Sequence, residues 1–163
     1  MANQHPDQFI PLEIHVSDAY DTSWGYSRAS FYNVTTIPRV WFDGVTEVRG
    51  AGSVSSAYSR YGATFLTRQA DPTDIVVDLR ASPSGGQTFD VTTSVTMEAD
   101  GTAGPLQLYL VEALDHWPAS PSYARNTFRQ AVTTGMDFSL LPGQTQEFST
   151  SVTLDSTSWS HLE

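Results

Sequence analysis

His15, Asp18 and Asp21 place one imidazole and two carboxylates in a short stretch of chain, "HVSDAYD". Imidazole beside carboxylates is a donor set for a divalent cation. The spacing puts the three on the end of an apolar run and the polar loop after it, and it supplies no fourth ligand. The competing reading is a polar strand end whose carboxylates cap backbone amides, so no metal is assigned and the three stay as candidates. Glu112, Asp115 and His116 form a second acid–imidazole group. No Gly-x-Ser-x-Gly elbow exists to give it a nucleophile, and a loop between strands is expected there. "EADGT", residues 98–102, lacks the Asp-x-Asp-x-Asp-Gly spacing of a calcium loop and reads as a turn. No catalytic residue and no cofactor are assigned.

Composition removes further chemistry. The 163 residues contain no cysteine, which excludes thiolate nucleophiles, dithiol redox and Cys-based zinc from this chain. A formal charge of −10 argues against nucleic acid as a partner, because phosphate binding needs clustered Lys and Arg. All basic residues are Arg, a pattern that fits codon bias or an acidic surface kept soluble in salt. Apolar residues make up 39% and aromatics 12%, enough for a packed core, and no run is long enough for a membrane-spanning helix. "MANQHPDQF" has no basic-then-apolar leader pattern.

Two aromatic regions bear on binding. Trp24, Tyr26, Phe31, Tyr32 and Trp41 are dense enough for a ligand platform, although aromatics near a helix and a strand are more often core. Residues 116–132, "HWPASPSYARNTFRQAV", form a long connection, and long connections carry function more often than cores do. Trp117, Tyr123 and Arg125 have the chemistry of interface anchors.

The elements that must position these residues fall into two grammars. "FIPLEIHV", 9–16, alternates as a strand. Ser17 or Asp18 is a possible helix cap with Gly25 interrupting, and a firmer helix is expected over 25–32. "RVWFDG" and "VTEVRGAG" make a hairpin across Asp43-Gly44. "SVSSAYSRYGATFLTRQ" is a helix capped by Ser53 or Ser55, with Ala57, Tyr58, Tyr61, Phe65 and Leu66 as its apolar stripe. After "ADPTD", 70–74, nearly everything alternates with period two. "DIVVDLRAS", "QTFDVTTSVTME", "LQLYLVEAL" and "QEFSTSVTL" read as strands between Gly, Pro and Asp turns, the pattern of a β-sandwich. The expected class is α/β plus all-β, with a boundary near 70–73.

Pro38 stands directly before the strand "RVWF", in "TTIPRVWFDG". That position, with the hairpin and helix after it, resembles the C-terminal part of a thioredoxin fold, in which a cis-proline opens a central strand. The longer order, "HPDQFIPLEIHVSDAY…FYNVTTIPRVWFDG" followed by "LYLVEALDH…YARNTFRQAV…LLPGQTQEFSTSVTLD", resembles the outer-membrane-protein-28 family. The resemblance implies a partial thioredoxin-like domain at 1–70 and an immunoglobulin-like β-sandwich domain at 73–163. It implies a cis bond at Pro38, and a periplasmic, outer-membrane-associated or extracellular location. It also implies that a first strand and a helix with any Cys-x-x-Cys precede Met1, and that a last sandwich strand is absent. The expected function is a non-catalytic envelope binding or assembly module that associates with a protein partner or with itself. The alternative is a piece of an extracytoplasmic thiol–disulfide oxidoreductase.

Overall fold

The computed structural model describes residues 5, 8–102, 104–117 and 126–162. It is strand-rich, with a few helices: α1 Ser23–Phe31, β1 Arg39–Phe42, β2 Thr46–Arg49, α2 Val54–Gln69, β3 Ile75–Gly85, β4 Thr88–Met97, β5 Gly104–Leu108, β6 Val111–Leu114, β7 Thr127–Ala131, β8 Met136–Leu140, β9 Thr145–Thr153 and α3 Ser156–Trp159. The chain divides into two compact units. The first holds residues 1–72 and 115–128, and the second 73–114 and 129–163.

In the first unit the apolar run 9–16 is not a strand. Only Glu13 makes a bridge, parallel to Thr127, through Glu13 N–H to the Asn126 carbonyl (3.1 Å) and Phe128 N–H to the Glu13 carbonyl (2.9 Å). Pro11 has no N–H to offer a ladder, and Ile10 and Leu12 stay exposed. Helix α1 is capped by Thr22, whose hydroxyl accepts from Gly25 N–H at 3.0 Å, not by Ser17 or Asp18. Gly25 is buried inside this helix and does not break it. A Cβ there would lie 3.1 Å from the His15 carbonyl oxygen and from Ile14 Cγ2, so the missing side chain lets residues 14–15 close on α1.

The hairpin β1–β2 is antiparallel, with Val40 opposite Val48 and Trp41 opposite Glu47. Asp43 and Gly44 have φ of 51° and 68°, the two left-handed residues that a primed turn requires. The Ile37–Pro38 peptide bond is cis. Helix α2 is capped by the Ser53 hydroxyl, which accepts from Ser56 N–H at 3.1 Å. Phe65 is its buried residue, whereas Tyr58 and Leu66 face solvent, so the apolar stripe is narrower than the sequence pattern. A ring cluster forms the core of this unit: Phe65 lies 4.8 Å from His5 and 5.5 Å from Phe9, and Phe42 lies 6.1 Å from Phe9 and 6.2 Å from Tyr61.

In the second unit β3, β4 and β9 form an antiparallel sheet with β4 central. Val91, Thr93, Val95 and Met97 of β4 are buried on one face. The alternation is the expected one, because period-two side chains share a face. β3 runs on through Pro83 to Gly85, with a register shift between those residues, where the sequence pattern places a turn. β5 pairs with β8, Leu106 opposite Phe138. Val95, Met97 and Leu140 form a core against which Ile75, Leu106, Leu108, Phe138 and Phe148 pack. The run "LQLYLVEAL" is two strands, β5 and β6, each with its own partner (β8 and β7). β7 falls inside 116–132, where the sequence pattern places a connection, and the pattern predicts no element at β8 or α3. α3 takes the stretch after β9, with Asp155 as its cap.

Candidate functional site

His15 and Asp18 meet. The imidazole Nδ1 bonds Asp18 Oδ2 at 2.6 Å, and Tyr20 N–H donates to Asp18 Oδ1 at 2.8 Å. These two donors, His15 first, hold the Asp18 carboxyl below its ordinary pKa. Asp21 turns away and accepts from the Tyr26 hydroxyl at 2.7 Å, and that hydroxyl accepts from Ser17 N–H at 3.1 Å. Asp21 is thereby committed to fixing the loop, and Glu13 takes the other side of the imidazole, 3.7 Å from Nε2. No group of three or more His, Cys, Asp or Glu with metal-holding geometry occurs among the described residues.

An imidazole oriented by a carboxylate is also the geometry of a general base. Here Nε2 is buried and has no hydrogen-bond partner. The ring of Tyr20 stands edge-on to His15 at 5.5 Å, and Trp117 stands edge-on to Tyr20 at 5.1 Å. The dyad thereby anchors the loop 15–21.

The members of the second acid–imidazole group have partners of their own. Glu112 accepts from Gln130 Nε2, while Asp115 pairs with its neighbour His116 at 3.0 Å. In 98–102 the Gly101 N–H closes a turn on the Glu98 carbonyl (3.0 Å), and Thr102 N–H donates to Asp74 Oδ2 (3.0 Å). Clipping by backbone amides gives a turn and no oxygen cage. An open cleft of about 370 Å³ is lined by Glu112, Arg129, Gln130 and Asp155. Across it Arg129 donates to Asp155 at 3.0 Å, while Glu112 Oε1 is buried without a hydrogen-bond partner. Asp155 lies below its ordinary pKa, first because Ser158 N–H caps it and then because of Arg129.

The aromatic platform divides into separate contacts. Trp24 stacks on Phe128 at 4.4 Å and 13°, and Tyr32 leans on Trp41 at 4.7 Å. The Arg28 guanidinium lies over Trp24, Phe31 and Tyr32 at 5.6, 4.4 and 5.0 Å, a cation–π arrangement. Trp117 turns its ring to Tyr20 and accepts from the Thr127 hydroxyl through its carbonyl. Tyr123 and Arg125 lie outside the described residues.

Two features lie outside the motifs of the sequence. Glu47 bridges Arg39 (2.8 Å) and Arg49 (2.7 Å) on the hairpin, and the two guanidiniums, Arg49 first, lower its pKa. Their alternation in "RVWF…TEVR" was the available signal. The other feature is β3. It ends the sheet order β3-β4-β9, yet Val76, Val77 and Leu79 are 50%, 56% and 54% exposed. Val77 and Leu79 share the face of the buried Val95 and Thr93 that they pair with. This terminal strand is the strongest candidate for a functional surface. No helix among the described residues is long and apolar enough to cross a membrane. No family model, curated protein or solved structure gives a significant match to this chain.

Proposed function

We propose that this chain is a non-catalytic binding or assembly module of the bacterial cell envelope, built from a thioredoxin-like and an immunoglobulin-like part, that works by associating with protein subunits. The observation that carries the reading is β3, a long terminal strand on which Val77 and Leu79 stand exposed together on one face, with Val76 exposed on the other. Monomeric surfaces scatter such residues, whereas clusters mark interaction sites. The order helix, hairpin, helix in the first unit and the face-to-face packing of antiparallel strands in the second are consistent with the two parts. The buried Nε2 of His15 and the absence of cysteine from the sequence support the non-catalytic aspect.

The lack of thiols makes the test simple. Val76→Cys puts a single thiol on the solvent side of β3 for attachment of a photo-crosslinker. Crosslinking in an envelope fraction is expected to give one protein adduct of defined mass, and a probe on the exposed helix residue Leu66 is expected to give none. Equal labelling from both positions would remove β3 as the binding surface. Reduction of insulin disulfides by the chain would overturn the non-catalytic reading, since dithiol exchange needs a thiolate.

A further inference from the structure

We propose that the occupant of the β3 edge is a second copy of this chain, paired antiparallel through β3 about a twofold axis at Leu79. This deepens the binding-module reading and rests on it.

The ladder shows which backbone groups are on offer. Glu98 N–H donates to the Asp74 carbonyl at 2.8 Å, and Asp74 precedes β3 in the same register. Hydrogen-bonded and non-bonded pairs alternate in an antiparallel ladder. Even-numbered residues of β3 therefore turn their amides to β4, and residues 75, 77, 79, 81 and 83 turn theirs outward. Two details agree with this parity. Ile75 N–H is taken by the Thr73 hydroxyl at 3.2 Å. Residue 83 is a proline, which an edge strand tolerates where the N–H faces away from the sheet. The outward edge thus offers complete donor–acceptor sets at Val77, Leu79 and Ala81, bounded by Thr73 on one side and Pro83 on the other.

Centring a twofold axis on Leu79 pairs these residues with themselves. Leu79 exchanges both hydrogen bonds with the second Leu79, and Val77 does so with Ala81. The side chains on that face are apolar, so the pairing covers the exposed Val77 and Leu79. On the opposite face the same register sets Asp78 directly across from Arg80 of the other copy, and Arg80 across from Asp78. Those are non-bonded pairs, in which facing side chains approach closest. In the single chain Arg80 Nε already donates to Asp78 at 2.9 Å, with both side chains exposed, so two copies bring together a four-charge ring of alternating sign. The sheet's other edge, β9, lacks this self-complementarity: Glu147 is its only charged residue. A twofold contact is isologous and closes as a dimer, through main-chain strand addition.

Sedimentation equilibrium of the whole chain and four variants decides the matter. The wild type is expected to be a dimer. Asp78→Arg or Arg80→Asp alone sets like charges face to face twice per dimer and is expected to weaken it about tenfold. The double exchange Asp78→Arg with Arg80→Asp is expected to restore wild-type association. Leu79→Pro is expected to abolish the dimer with an unchanged circular dichroism spectrum; should it disturb the fold, the charge series still decides. A monomeric wild type, a dimer indifferent to both single reversals, or a species larger than a dimer would overturn the proposal. A monomeric wild type whose Val76→Cys probe still captures a different protein would leave the binding-module reading standing without self-association.

Discussion

The two units hold themselves together by different means. The first relies on individual pins. Arg60 donates to the carbonyls of Arg49, Gly50 and Ala51 at 2.8, 2.6 and 2.9 Å, and Arg39 reaches Asn33, Thr35 and Glu47. The second relies on long registers. β4 has a partner on one side from Thr88 to Met97 and on the other from Thr88 to Thr96, and hydroxyl pairs such as Thr96–Thr145 (2.8 Å) and Thr88–Thr153 (2.9 Å) repeat along the solvent face. A pinned loop depends on particular donors. A register spreads the same work over many nearly equivalent contacts. Single substitutions therefore cut deep and locally in the first unit, and outside the core they cut shallowly in the second.

Breaking each core should give the largest effects. Phe65→Ala removes the centre of the ring cluster and is expected to cost about 3–5 kcal/mol. Urea unfolding followed by tryptophan fluorescence measures it, since Trp24, Trp41 and Trp117 lie in the first unit and only Trp159 in the second. Leu140→Ala is expected to cost about 2–5 kcal/mol, read on the second transition.

The contrast sharpens outside the cores. Arg60→Met strips three carbonyls of a charged donor and should cost about 1–3 kcal/mol, with faster amide exchange expected to stay within residues 49–53. Thr96→Val removes one rung of the hydroxyl ladder and should cost less than about 1 kcal/mol. If Thr96→Val proved as costly as Arg60→Met, the distinction between pins and registers would fail.

Acid gives the mildest test. Asp18, Glu47 and Asp155 all have carboxyl pKa values lowered by folding. Their contribution is fully present above the unfolded values of about 4 and is lost as pH falls through the lower folded ones. Two of the three lie in the first unit. Its unfolding midpoint is expected to drop more steeply than the second's below about pH 4, and Asp18→Asn with Glu47→Gln should flatten that slope. Exposure and salt keep the effect small.

Legibility in the sequence follows the same divide. Alternation revealed β4 and β9 as strands, because period-two burial is written locally. Asp43-Gly44 revealed the hairpin, because positive φ at both positions needs those residue types. "MDFSL" carries the same alternating signal over five residues, too short to stand out from the turns around it, and forms β8. The apolar run 9–16 misled, because its composition is that of a strand while its pairing is a single distant bridge at Glu13. The partnership of His15 with Asp18 but not Asp21 was invisible as well. It depends on Tyr26 reaching back to claim Asp21. The exposure of Val77 and Leu79 could not be read from a strand pattern that looks the same at an edge as in the middle of a sheet.

Residues 115–128 belong to the first unit, although the chain leaves that unit at Pro72. On the ribosome this imposes a wait. At about 5–20 residues per second, Phe128 follows Pro72 by roughly 3–11 seconds. Through that interval Phe128 is not yet there for Trp24 to stack on, nor Thr127 for Glu13 to bridge. Most of the second unit is threaded out in the meantime, so neither half can be finished before the other has begun. The first unit therefore receives its last segment only after residues 73–114 of the second have been synthesised, and the second unit's own last segment follows it.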